Sequence, residues 1–361
     1  MDKGEGMIKK ERYYYVDVMR MVCALLVVMM HTAPLEGINE NINFFLLQIV
    51  GRIAVPFFFI CTGYFLYNKL ESDNVKQKIS NTLCKLCNLY LIWSGIYLIY
   101  YIYGSISIGR GFIKSVILYI RNFLFIGSHF HLWYLVATLL GIYIIYKVYN
   151  KIEFKYLLAL ATILYLIGLL GNGYSNLLQE SRVEKALEIY TFLFQTTRNG
   201  LFFAFPYITI GVALNKYNIK DRIKNNYILL IIAFMGLTLE GFILKKYIGL
   251  ERSDMYIMLV PVSILIFSNL LKININRIES FIANKATEFR ELSLVIYCVH
   301  GVFLIILPYI YKVIGWDKLV CINLINFIVV FVCSWGVGKV LIKSKILHNI
   351  FIEPNYIKIN M

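Results

Sequence analysis

Carboxylates are scarce in this chain: 21 Asp and Glu stand against 36 Lys and Arg, and only 16% of the 361 residues are charged. Polar stretches are short as well. None exceeds about 30 residues, and no Pro-rich linker, repeat or low-complexity segment divides the sequence, which excludes a separate soluble module and leaves one expected domain over 1–361. The seven cysteines lie almost entirely inside apolar stretches and lack framework spacing. They read as small buried apolar residues. The lone Cys84-x-x-Cys87 has no second pair, nearby His or thioredoxin-like context to support redox or metal chemistry.

What is abundant is apolar sequence, at 59% hydrophobic and 16% aromatic. A membrane span needs about 20 mostly apolar residues. Ten windows approach this, near 13–33, 43–67, 83–103, 130–149, 156–171, 198–214, 226–245, 255–271, 290–311 and 319–342. They lack the alternation of barrel strands, so backbone groups in hydrocarbon must be satisfied within helices. The expected fold is all-α, a polytopic bundle of about ten transmembrane helices. The first window carries Asp17 and Arg20 and has no small-x-small cleavage site, and it reads as a retained helix.

Loop charges orient the bundle. With a cytoplasmic N-terminus, 21 Lys and Arg fall on the cytoplasmic side, beginning with Lys3, Lys9, Lys10 and Arg12, against ten outside. Both termini are then cytoplasmic. The net charge of +15 is spread over six such segments without a basic-aromatic module, which argues for anionic lipid and against nucleic acid. Of the outer loops, residues 172 to 197 read as a turn at Gly171-Asn-Gly173 followed by a short exposed helix.

Candidate chemistry starts in the first window, where Arg20 and His31 are eleven positions apart. At 100° per residue they return to within about 20° of one another, about 16 Å apart along the axis, too far for direct contact. Asp17, three residues before Arg20, falls on the same face. One reading has Asp17 neutralising Arg20 while His31 snorkels to the outer interface. The other makes His31 a general base or an acyl-accepting nucleophile, with Arg20 holding an anionic or polarised group further along the same path.

Other polar residues recur at the outer ends of spans. Arg52 opens the second window, with Pro56 and Gly63 beyond it suited to bending or close packing. His131, Trp133 and Tyr134 open the fourth after His129; a His-x-His pair without a third ligand does not specify a metal, and none is expected. Arg198 introduces the sixth, and Ser293, Tyr297 and His300 make one polar stripe in the ninth, either a helix–helix hydrogen-bond seam or a substrate path. Glu240, in the seventh, is a candidate partner for an intramembrane cation.

These residues carry a resemblance. Tyr15-Val-Asp17-Val-Met-Arg20 through to His31 resembles the Arg-x10-His signature of the acyltransferase-3 family of bacterial membrane acyltransferases. Val55-Pro-Phe-Phe-Phe-Ile-Cys-Thr62-Gly63-Tyr64-Phe65, His131-Leu-Trp133-Tyr134, Arg198-Asn-Gly-Leu and Ser293 to His300 follow in the family's order, over about residues 13 to 345. His31-Thr-Ala-Pro34 is closer to a branch that includes the membrane half of membrane-bound serine racemases of glycopeptide resistance, a half associated with serine uptake. Those proteins append a cytoplasmic pyridoxal-phosphate domain, and no racemase chemistry is expected of this chain.

The resemblance implies acyl transfer in the bacterial cytoplasmic membrane. The donor would be cytoplasmic acyl-CoA, acetyl-CoA above all. The acceptor would be a hydroxyl on an outer carbohydrate, envelope polymer or small molecule, and no cofactor would be tightly bound. It makes Arg20 and His31 essential and places Arg52, His131, Arg198 and His300 around the cavity. Thr62 stands where many members have serine, and Lys76, Lys78 and Lys85 occupy a donor-side stretch that is often Arg-rich, keeping the charge without the bidentate fork. A transporter of serine or a similar solute would use the same polar interior, with Pro56 and Pro206 as candidate helix breaks. A sensor or scaffold would need neither Arg20 nor His31 in a shared cavity.

Overall fold

The computed structural model describes residues 13–178, 180–222, 227–273, 279–316 and 322–354. Lys3, Lys9, Lys10, Arg12 and Lys358 at the termini, and Lys224, Arg277 and Lys318 in the loops, lie outside the described residues. Helix dominates and no strand occurs among the described residues. The chain begins with α1 (Tyr14–Thr32). A continuous helical run follows: α2 (Glu40–Phe44), a π turn at Phe45–Val50, a tight turn at Gly51–Ile53 and α3 (Ala54–Leu70). Next come α4 (Val75–Ser107), α5 (Phe112–Arg121), α6 (Trp133–Val148), α7 (Phe154–Leu170) and α8 (Arg182–Phe194). A π turn at Gly200–Ala204 leads into α9 (Phe205–Lys216), followed by the short α10 (Ile219–Arg222) and α11 (Tyr227–Ile248). The chain closes with α12 (Leu259–Leu270), α13 (Glu279–Val313), α14 (Asn323–Lys343) and α15 (Lys345–Phe351).

Each of the ten apolar windows overlaps helix among the described residues. Six helical runs are long and apolar enough to cross a membrane: Tyr14–Thr32, Glu40–Leu70, Val75–Ser107, Tyr227–Ile248, Lys285–Val313 and Asn323–Lys343. The other four windows hold the shorter apolar helices α6, α7, α9 with its π turn, and α12. The fold is that of a polytopic helical membrane protein. α4 starts eight residues before its window because polar turns containing Lys76, Lys78 and Asn81 extend the helix past its apolar part. In the loop after α7, Ser181 caps the exposed α8 by accepting from the Glu184 N–H, which is the expected turn and short helix.

The Glu40–Leu70 run is the most buried of the six, and α11 and α14 are the least. α3 crosses α9 at glycine. A Cβ on Gly63 would lie 1.9 Å from the Ile208 carbonyl oxygen, and one on Gly211 would lie 2.1 Å from that of Ile60. Small residues let two backbones approach in this way, where lipid supplies no hydrophobic drive for helices to associate. Above the crossing, the aromatic core of Phe57, Phe59, Phe203, Phe205 and Tyr207 is sealed from solvent. Phe59 stacks on Tyr134 at 4.8 Å, so α6 is set against α3 where the candidate site opens.

Candidate functional site

α1 ends at His31-Thr32. Ala33 turns left-handed at φ 45° and its N–H closes on the Met29 carbonyl, while Thr32 Oγ1 donates to Val28 O at 3.0 Å. This fixed end presents the exposed His31 ring between two neighbours. Phe130 meets it edge-on at 4.7 Å, and His300 of α13 stacks against it at 5.3 Å. His300 is fully buried, and its Nδ1 donates to the Ile296 carbonyl at 3.0 Å, leaving Nε2 as an unpartnered acceptor. His131 packs on His300 at 4.7 Å, and its Nδ1 lies 3.1 Å from His129 Nδ1. Four of the five histidines therefore gather at one end of the bundle. Among the described residues, no three His, Cys, Asp or Glu are arranged to hold a metal ion.

Beside the histidines is an arginine–carboxylate clamp. Arg52 Nη1 donates to Asp254 Oδ1, and Arg198 Nη1 reaches the same oxygen at 3.2 Å. The π turn in the second run brings Gln48 under Arg52, and Gln48 Oε1 accepts from Arg52 Nη2 at 2.8 Å and from the Ser253 N–H at 3.0 Å. Asn172, in the Gly171-Asn-Gly173 turn, accepts from the Asp254 N–H at 2.9 Å. The Arg198 guanidinium carbon lies over Trp133, 4.6 Å from the ring centroid, a cation–π contact. Burial alone would raise the Asp254 carboxyl; the guanidinium groups of Arg198 and Arg52 outweigh it and hold the group below its ordinary range. Burial, with His300 nearby, lowers His129 to about 4.

The two groups of side chains face one cavity of about 850 Å³. Of the residues singled out in the sequence, His31, Arg52, His131, Trp133, Tyr134, Arg198 and Tyr297 line it. His300 stands behind His31. Tyr297 donates its hydroxyl to the His131 carbonyl at 2.5 Å and pins the loop that carries the two histidines. Glu36, Glu40, Lys245, Glu251 and Arg252 also line the cavity, so its wall carries both cations and anions. Asp254, Gln48 and Asn172 were not among the sequence candidates. The available signal was electrostatic: two arginines at adjacent helix ends call for a counter-charge from another segment.

Other candidates lie elsewhere. Arg20 is held on its own helix and on α3: Nη1 to Asp17 Oδ1 at 2.9 Å, Nε and Nη2 to Cys61 Sγ at 3.2 and 2.9 Å, with the Phe65 ring 5.6 Å from its carbon. Thr62 donates to the Phe58 carbonyl and Ser293 to that of Arg290. Ser293 does not line the cavity, and its hydroxyl bond is to its own helix. Lys76 and Lys78 are exposed on the first turns of α4, and Lys85 lies 3.7 Å from Glu353. Glu240 departs from expectation. It accepts from the Tyr174 hydroxyl and from the N–H groups of Ile257 and Met258 at 2.6 and 2.7 Å, so it caps the entry to α12 and makes no ion pair among the described residues.

A multi-pass helical bundle whose cavity joins a histidine at the end of the first span to two arginines sharing one carboxylate defines a class of membrane protein. Residues 13–339 match the family model described as an acyltransferase domain, and the chain belongs to the acyltransferase-3 family. Among curated proteins it is 29% identical over 346 residues to an amino-acid racemase of Enterococcus faecalis, covering 93% of this chain and 47% of that protein. A serine/alanine racemase of Enterococcus gallinarum is 26% identical over 333 residues, covering 91% and 46%. The chain spans less than half the length of these relatives. No solved structure matches it.

Proposed function

We propose that this protein is an O-acyltransferase of the bacterial cytoplasmic membrane, with ten crossings and both termini cytoplasmic. It would move an acyl group, most simply acetyl, from cytoplasmic acyl-CoA to a hydroxyl on an outer carbohydrate, envelope or small-molecule acceptor. The observation that carries this reading is the placement of His31, exposed in the cavity, backed by a buried ring and without a protein hydrogen bond among the described residues. His31 takes the proton of the acceptor hydroxyl as its oxygen attacks the thioester carbonyl. The C–O bond forms, the C–S bond breaks, and the proton passes from the imidazolium to the departing thiolate, giving ester and free CoA. Arg52 and Arg198 supply positive potential to the oxyanion that develops between these steps. Arg20, about three turns away, serves the donor side as a separate station, with Lys76, Lys78 and Lys85 as point charges for CoA phosphates.

A second reading is transport of serine or a similar small polar solute. The guanidinium–carboxylate clamp would suit a zwitterion, and the relatives' names include serine and alanine. One experiment separates the two. Purified protein is incubated with radiolabelled acetyl-CoA, proteoliposomes are tested for labelled serine uptake, and wild type is compared with His31→Ala. Turnover of acetyl-CoA that is lost in the variant supports the enzyme; serine flux without turnover supports the transporter.

A further inference from the structure

α5 is amphipathic in a way that the bundle does not use. Drawn at 100° per residue, Phe112, Ile113, Val116, Ile117 and Ile120 occupy an arc of about 140°. All five are exposed, Phe112 at 82%. Lys114 and Arg121 lie just beyond one edge of that arc. The rest of the helix is tied down: Ser115 is buried, and Tyr119, at the other edge of the arc, donates its hydroxyl to the Ser94 carbonyl of α4 at 3.2 Å. The apolar surface continues along the following π turn (Asn122–Ile126) through Leu124 and Phe125, and Phe125 meets Phe194 of α8 at 5.4 Å. α8 also exposes Ile189, Phe192 and Leu193.

Charge selects what covers it. From Asn74 to Ile152 the chain has no Asp or Glu, while Arg110, Lys114 and Arg121 all fall within or beside α5. Basic residues in an outer loop run against the positive-inside bias. An apolar arc with a basic edge suits a helix lying in the headgroup plane, its apolar side in the acyl boundary and its cations on lipid phosphates. A second copy docked through its own α5 would set cation against cation.

We propose that α5 is an outer-leaflet anchor that binds anionic phospholipid through Lys114 and Arg121. The leaflet rests on the orientation derived from loop charge; the lipid preference does not rest on the proposed reaction. The anchor also bears on the site, because the chain runs from α5 through the π turn into Ser128, His129 and His131. Tyr90 donates its hydroxyl to the Phe123 carbonyl at 2.6 Å and accepts from the Ser128 N–H at 2.9 Å, so α5 and the histidine loop share one attachment to α4. Lipid engagement at α5 therefore sets the seat of that loop.

The test compares the thermal unfolding of the full protein in nanodiscs of phosphatidylglycerol and of phosphatidylcholine with matched acyl chains. The wild type should unfold at a higher temperature in phosphatidylglycerol, and a Lys114→Gln/Arg121→Gln variant should lose most of that difference while unfolding as wild type does in phosphatidylcholine. The charge-keeping Lys114→Arg/Arg121→Lys variant should retain it, which separates loss of charge from misfolding. In Phe112→Trp, brominated acyl chains should add quenching beyond that of the four native tryptophans. An unchanged lipid preference in the Gln variant overturns the proposal. So does absence of added quenching, or a dimer whose contact shields α5.

Discussion

His31 and His300 stack with ring centroids 5.3 Å apart and planes 21° from parallel, so the last turn of α1 and the middle of α13 share one imidazole pair. The deeper ring is fixed by its bond to Ile296 and the outer one faces the cavity. A ring held on one side and open on the other keeps its orientation without losing access to a hydroxyl.

This arrangement gives the first prediction. General-base catalysis contributes about 10²–10⁴-fold, so His31→Ala should lower kcat by that much. The thermal midpoint should move little, because the ring faces the cavity on its other side and makes no hydrogen bond among the described residues. The check is acetyl-CoA turnover by detergent-purified protein alongside an unfolding curve. A variant that unfolds like wild type and turns over normally removes His31 from the mechanism.

The clamp makes a second. Asp254 serves two guanidinium groups from a partly buried position, and replacing it with Asn leaves both without their counter-charge. Breaking a fully buried pair from one side costs about 3–5 kcal/mol. With the Asp254 side chain still 22% accessible, a loss of about 1–3 kcal/mol is expected after allowance for solvent screening. A double-mutant cycle of Asp254→Asn with Arg198→Gln should show coupling, since both changes act on one contact.

Acidification supplies the third. His129 has its pKa lowered to about 4 in the folded protein against 6.5 for the free side chain. Between those values the unfolded chain binds the additional proton, so stability is fully present above about pH 6.5 and is lost as pH falls toward 4. Asp254 is also depressed, so its contribution is present above the unfolded carboxylate value and disappears as pH drops through the lower folded one. The midpoint should thus fall in two stages, and His129→Asn should reduce the first and spare the second.

How far the sequence alone reaches can be judged residue by residue. α1 is expected over 13–33 and found at Tyr14–Thr32, because its apolar run is bounded by polar sequence on both sides. α12 is expected from 255 and starts at Leu259; the preceding turn is held by Glu240, 17 residues from Ile257, a contact that periodicity does not encode. Within the site, the helix ends show Arg52, His131 and Arg198 directly. Asp254 escapes because it sits 202 residues from Arg52 in a loop that reads as ordinary surface, and only the tertiary fold buries it between two cations. Ser293 has the spacing of a face shared with Tyr297 and His300, but spacing does not reveal that its hydroxyl is bonded to the Arg290 carbonyl of its own helix.

The α3–α9 crossing carries the last prediction. A methyl on Gly63 would meet the Ile208 carbonyl oxygen and carbon at 1.9 and 2.8 Å, both backbone atoms that no rotamer change can move aside. Gly63→Ala must therefore separate the two helices, and overpacking of this kind costs about 1–3 kcal/mol or more. The displacement would pass along α3 to Phe59 and through its stacked partner Tyr134 to the cavity wall. Gly95 and Gly336 have no heavy atom within 4 Å of an added Cβ, so Gly95→Ala and Gly336→Ala should be tolerated or slightly stabilising, as expected where a helix interior has room for a methyl group. The yield of monodisperse protein after size-exclusion chromatography ranks the three. Gly63→Ala should fall well below the other two, and equal yields would mean that the crossing is not the close contact that holds α3 and α9 together.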